Sequence, residues 1–126
     1  MIVVIGGAYQ GKLAYVKKQY CVTDADILIC EQGQCEIVTS QPVIYGWEHM
    51  ILAQVKCGID SMSYVKGQID YLQDKIIICE DSSCGIVPTD KDMRLYREAS
   101  GRTLSYLASR ADEVVRVFCG IGSKIK

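Results

Sequence analysis

The first thirteen residues constrain this chain more than any other stretch. Ile2-Val3-Val4-Ile5 is wholly β-branched and runs directly into Gly6-Gly7, the pattern of a buried strand feeding a tight turn. Ala8-Tyr9-Gln10-Gly11-Lys12 follows, and then Leu13, Val16 and Tyr20 fall at helical spacing with Lys17 and Lys18 facing outward. Gly6 to Lys12 fills the first seven positions of the phosphate-loop pattern G-x-x-x-x-G-K-[ST]. In that pattern the glycines let backbone N–H groups curl around phosphate oxygens, and the helix start adds its positive dipole end. The lysine reaches the β- and γ-phosphates, and the closing hydroxyl ligates Mg²⁺. Here Leu13 stands where the hydroxyl belongs. A bare G-x-x-x-x-G-K arises by chance in roughly one chain in 25 of this length. Its position between a buried strand and a helix makes coincidence several-fold rarer. Gly6, Gly7, Ala8, Tyr9, Gln10, Gly11, Lys12 and Leu13 are therefore the candidate nucleotide-binding residues, with Lys12 the candidate catalytic cation.

The rest of the chain alternates strand and helix patterns. Ile27–Cys30, Ile76–Cys79 and Val114–Cys119 read as further buried strands. Gly46 to Cys57 reads as a helix with Trp47, Met50, Ile51 and Val55 on one face, stopped by Gly58. A second helix, Ser61 to Leu72, gathers Met62, Val65, Ile69 and Leu72. The longest, Thr89 to Arg110, starts with a box-like Thr89/Asp92 pair and carries a stripe of Met93, Tyr96, Ala99 or Ser100, Thr103 and Leu107. Glu31 to Gln41 has no periodic pattern, and the end, from Gly120 to Lys124, reads as a small polar tail. With only two prolines and no linker-like tract, residues 1–126 form one expected domain. The predicted fold class is α/β, a P-loop-type three-layer sandwich with a mainly parallel sheet. Ligands in such sheets sit at the carboxyl ends of the strands, where Gly6, Cys30, Cys79, Glu80, Asp81 and Cys119 fall.

Composition removes several function classes. Hydrophobic residues make up 49% of the 126, and the net charge is −1, which excludes a disordered chain. A pI near 5.8 argues against nucleic acid as a partner. No apolar run reaches the ~18 residues of a membrane span, and the opening residues do not read as a signal peptide. An odd count of seven cysteines then points to reduced thiols in a cytoplasmic protein. Cys30, Cys79 and Cys119 close apolar runs and read as strand-end packing. Cys30/Cys35 and Cys79/Cys84 have four residues between them, the loose end of zinc spacing, so the site expectation includes no metal ligand.

Two further positions carry chemistry. Glu80-Asp81, just past the third apolar strand, offers carboxylates that could hold Mg²⁺ beside a phosphate loop, against the plainer reading of a solvated acidic turn. His49 is the only histidine, and on a helix it reads more readily as a surface residue than a catalytic one.

Three stretches together resemble a known family. They are Gly6–Lys12 after its strand, Gly85-Ile86-Val87-Pro88 after another, and the closing Ala111-Asp112-Glu113-Val114 with Gly120 to Lys126. The chain resembles the bifunctional adenosylcobinamide kinase/adenosylcobinamide-phosphate guanylyltransferase family of cobalamin biosynthesis, from about Lys75 to the end and at the loop. The stretch from about Val22 to Asp74 carries no visible likeness. The resemblance implies a P-loop α/β fold, GTP or ATP on the loop, a corrinoid acceptor and a trimer-like homo-oligomer. It also implies a catalytic role for Asp81, which matches an acidic position of the family's N-E-V-G-x-G-I-V-P stretch. This chain departs from the family at Leu13 (Ser or Thr there), at Glu80 (Asn) and at Leu104 (Asn). It has no His-rich segment of the kind that carries the family's guanylylated histidine, and it is shorter than full-function members. The expectation is a purine-nucleotide-binding member with weak or lost kinase activity and without a clear guanylyl-transfer residue. A non-catalytic nucleotide- or corrinoid-sensing partner is the first alternative, and a Cys-rich metal or redox protein the second.

Overall fold

The computed structural model describes residues 1–81 and 90–126. Its strands are β1 (Ile2–Gly6), β2 (Ile27–Ile29), β3 (Val43–Tyr45), β4 (Ile76–Glu80), β5 (Glu113–Phe118) and β6 (Ile121–Lys124). Its helices are α1 (Lys12–Gln19), α2 (Trp47–Lys56), α3 (Ser61–Gln68) and α4 (Lys91–Arg110), with one 3₁₀ turn at Asp24–Asp26. The sheet order is β2-β3-β4-β1-β5-β6, parallel throughout except for β6, which returns antiparallel along β5. The expected three-layer α/β fold is present.

The β-branched runs form the sheet because both faces of its centre are covered. Along β1, Val3 packs with Ile44, Ile77 and Val114 under α2, α3 and α4, through Trp47, Met50, Ile51, Val65, Tyr96 and Leu107. Val4 points the other way, with Val43, Ile78 and Val115, and meets Val16 of α1. Val3 and Val4 are both fully buried. Complete burial of one such side chain contributes about 1.5–3 kcal/mol, so β1 is anchored from both faces.

The structure corrects several boundaries. β3 lies in a stretch that showed no pattern: it has only three residues, between Pro42 and Gly46. The supposed polar tail is β6, turned back by a two-residue loop in which Cys119 (φ 52°) and Gly120 (φ 75°) are both left-handed, as a type I′ hairpin demands. Cys119 is consequently an exposed turn residue and not strand-end packing, while Cys30 and Cys79 are buried as expected. The α3 helix stops at Gln68, and the chain continues through turns that still bury Ile69 and Leu72. On α4 the stripe is buried at Tyr96, Ser100, Thr103 and Leu107, but Met93 is exposed. Its N-cap is Asp90, whose side chain accepts from the Met93 N–H at 3.1 Å. The expected Thr89 cap, Cys84 and the Gly85–Pro88 stretch lie outside the described residues.

Candidate functional site

The loop after β1 stands at the carboxyl edge of the sheet, at its centre. Gly6 ends β1, and its carbonyl accepts the Asp81 N–H at 2.9 Å, which joins the ends of β1 and β4. Tyr9 (φ 57°) and Gly11 (φ 85°) are both left-handed, and Gly11 is the N-cap of α1. Alternating handedness of this kind turns backbone N–H groups toward a common concavity. Lys12 is buried at 7% exposure, and its Nζ donates to the Gly7 carbonyl at 2.7 Å. Its ammonium therefore lies folded against the loop.

Gln10 braces the loop from the opposite side. Its carbonyl accepts the Gly120 N–H and its Oε1 accepts the Cys119 N–H, both at 2.8 Å. Its side chain thus faces the β5–β6 turn, although the sequence pattern groups it with the phosphate binders. Leu13 packs its apolar side chain with the cluster around Val4 and Val16 and offers no oxygen.

A cleft of about 590 Å³ opens over this loop and reaches across to Tyr45, Glu48, His49 and Glu80. Glu48 sits in the first turn of α2 and accepts the Glu80 N–H at 3.0 Å on Oε2. That bond ties the start of α2 to the end of β4, and Glu48, Glu80 and Lys12 all line the one cleft. Sequence reasoning missed Glu48 because it missed β3, whose carboxyl end launches α2 at the sheet edge. His49, read as a surface residue, lies on the cleft wall beside it. Gly46 (φ 83°) permits this, since a Cβ there would stand 3.0 Å from His49 Cδ2. Asp81, the expected catalytic acid, follows Glu80 and is tied through its backbone to Gly6, while Glu80 itself lines the cleft.

Two buried thiols, Cys30 and Cys79, feel the Glu48 carboxylate. Burial first, then the Glu48 carboxylate, pushes the Cys30 thiol up to about 11. Cys79 is raised well above the ordinary thiol value by the same two causes, which outweigh the opposing pull of Lys12. Both behave as small hydrophobes at neutral pH. Cys35 does not meet Cys30; its sulfur lies 3.7 Å from that of Cys57. Among the described residues no three His, Cys, Asp or Glu side chains gather as a metal site. Among them also, no helix is long and apolar enough to cross a membrane.

No curated protein matches the chain. The sequence model of the cobinamide kinase / cobinamide phosphate guanyltransferase family matches residues 45–125. The match reaches well upstream of Lys75, into the stretch that showed no likeness by eye, and it takes in Glu48, His49, Glu80 and Asp81. The loop from Gly6 to Lys12 lies outside it. The matched span is well over half of the 126 residues, and the chain belongs to the cobinamide kinase / cobinamide phosphate guanyltransferase family.

Proposed function

We propose that the chain binds a purine nucleoside triphosphate, GTP or ATP, with its phosphates on the loop Gly6–Lys12. On this reading residues 1–126 act as a single nucleotide-binding domain. The observation that carries it is the buried Lys12 ammonium in a left-handed loop at the end of the central strand, facing Glu48 and Glu80 across one cleft. A phosphate would take the place of the Gly7 carbonyl as the partner of Lys12. The loop amides and the start of α1 would complete its cradle.

Kinase activity toward a corrinoid acceptor is proposed as weak or lost. Phosphoryl transfer depends largely on neutralising charge at the β- and γ-phosphates, and Leu13 supplies no ligand for Mg²⁺. The residues that fit a magnesium ion here are carboxylates, Glu48 and Glu80, with Asp81 next in sequence. Mg²⁺ would polarise the transferring phosphate, and these acids would hold it from the α2 side of the cleft. Guanylyl transfer through a covalent histidine has only His49 to carry it. No hydrogen bond among the described residues orients that ring. Leu13 also favours a second reading, a nucleotide- or corrinoid-sensing protein that keeps the binding groups without the chemistry. We place the protein in the cytoplasm and expect a homo-oligomer, which sedimentation of the purified chain tests directly.

Thermal unfolding with nucleotide tests the binding claim. GTP or ATP at 100 times its dissociation constant adds about 2.7 kcal/mol, which raises Tm by roughly ten degrees for a domain of this size. An equal rise in Lys12→Ala, or none in the natural chain, refutes the assignment. Transfer of labelled γ-phosphate to cobinamide supports the kinase. Binding without turnover, with and without Mg²⁺, supports the sensor.

A further inference from the structure

Residues 31–42 cross the outer side of α2 without regular structure, held at a few points. Gln54 Nε2 donates to the Cys35 carbonyl at 2.9 Å, and the Ile37 N–H donates to the Tyr64 hydroxyl at 2.9 Å. Ile37 is buried in the core cluster beneath α2 and α3. The Cys35 and Cys57 sulfurs lie 3.7 Å apart at this crossing, 22 residues apart in sequence. Cys57 is exposed and Cys35 half-buried, so small reagents can reach the pair.

The backbone at each end can give. Cys57 is the C-cap of α2, followed by the left-handed Gly58, and Cys35 lies two residues after the left-handed Gly33. A disulfide bond of about 2.05 Å requires the sulfurs to approach by about 1.7 Å, within reach of side-chain rotation and a small loop shift. Nearby spacing in sequence suggested a different partner, Cys30, but that thiol is buried on the cleft side.

We propose that Cys35 and Cys57 are a modification site, oxidised to an intramolecular disulfide by a low-molecular-weight disulfide. One cysteine thiolate attacks the small disulfide, forming a mixed disulfide and releasing one small thiol. The second cysteine then attacks the protein sulfur of that mixed disulfide, forming the Cys35–Cys57 bond and releasing the second small thiol. The two cysteines are oxidised, the reagent is reduced, and each cysteine proton ends on a departing thiol. Proximity drives the second step, because the resolving sulfur is already in contact. Desolvation, then Cys57 and Glu36, raises the Cys35 thiol, which slows its attack. The bond would close a loop containing β3 and all of α2, and would fasten residues 31–42 to the end of that helix.

The test is incubation of the full chain with excess oxidised glutathione, alkylation of remaining thiols, and peptide mapping under non-reducing conditions. The expected product is a chain free of intermolecular disulfides, with one Cys35–Cys57-linked peptide and both Cys30 and Cys79 alkylated after unfolding. Closing a loop of this length raises Tm by on the order of 10 °C over the reduced chain. Cys57→Ser and Cys35→Ser should each accumulate a stable glutathione adduct at the remaining cysteine and show no comparable rise. Recovery of Cys35 and Cys57 both alkylated, both glutathionylated, or linked to other cysteines would overturn the proposal. A linked peptide with unchanged Tm would overturn the fastening of residues 31–42.

Discussion

Two adjacent glycines open the loop after β1, and the structure gives them unequal roles. A Cβ on Gly6 would stand 2.5 Å from the Val117 carbonyl oxygen of β5 and 3.3 Å from both Lys12 Cγ and Cδ. Ordinary contact begins near 3.4 Å, so Gly6→Ala must separate β1 from β5 by about 0.9 Å at that point. Neither strand can retreat freely, because β1 is also bonded to β4 and β5 to β6. Overpacking of this kind costs about 1–3 kcal/mol, and a rigid backbone oxygen as the obstacle puts Gly6→Ala at the upper end. With a urea slope of about 1.5 kcal/mol/M, the unfolding midpoint should fall by roughly 2 M. Gly7 differs: a Cβ there meets only Gln10 Cγ at 3.6 Å, and its φ is not positive. Gly7→Ala should therefore hold the midpoint or raise it by the equivalent of ~0.4–1 kcal/mol, through the unfolded chain's lower entropy. Urea unfolding of both variants, followed by circular dichroism, decides the matter. Equal losses in the two, or no loss in Gly6→Ala, would refute the assignment of Gly6 to strand packing.

Other perturbations give separate readouts. Leu13→Thr removes apolar packing from the cluster around Val16 and should cost about 1–2 kcal/mol of stability by urea unfolding. It should at the same time make nucleotide affinity more dependent on Mg²⁺ in calorimetric titrations, and an unchanged dependence would count against phosphate binding beside residue 13. Tyr9 is fully exposed and left-handed, so Tyr9→Gly should raise stability by about 1 kcal/mol, visible as a Tm increase of a few degrees. Asp60 caps α3, and the Ser63 hydroxyl bond first, then the backbone N–H groups of Ser63 and Met62, hold its carboxyl below the ordinary 3.8. Its stabilisation is present above that value and disappears as pH falls through the lower folded value. The acid-side fall in the urea midpoint should flatten in Asp60→Asn, and an unaltered pH profile would contradict the cap's role.

The legible parts of the fold were those whose own residues pay no attention to distant partners. Ile2–Ile5 and Ile76–Cys79 are buried on both faces, so their hydrophobic runs declare them, and α2 shows its Trp47, Met50, Ile51 stripe within two turns. β3 and β6 were hidden for opposite reasons. Three residues of β3 are too few for a pattern, and its existence depends on β2 and β4 on either side. Ile-Gly-Ser-Lys in β6 has little strand character and is ordered by pairing with β5 through the Cys119-Gly120 turn. The loop half of the site was legible because its glycines and lysine are contiguous. The opposite wall was not, since Glu48 and Glu80 are 32 residues apart and meet only through a backbone N–H. Nothing local marks such a meeting. The Cys35–Cys57 contact is of the same kind.

The place of β1 in the sheet imposes an order on biosynthesis. It leaves the ribosome well before its neighbours β4 and β5, which arrive some 70 and 110 residues later. Until then its hydrogen-bonding edges have nothing native to meet, and such strands are exposed to aggregation during synthesis. α1 can form against it early, covering the Val4 face, while the Val3 face must wait for α2, α3 and α4. The strands within the family-matched span cannot close around its absence either, because β4 and β5 touch β1 and not each other. A strand outside the family-matched span is thus the keystone that the matched span must be built around.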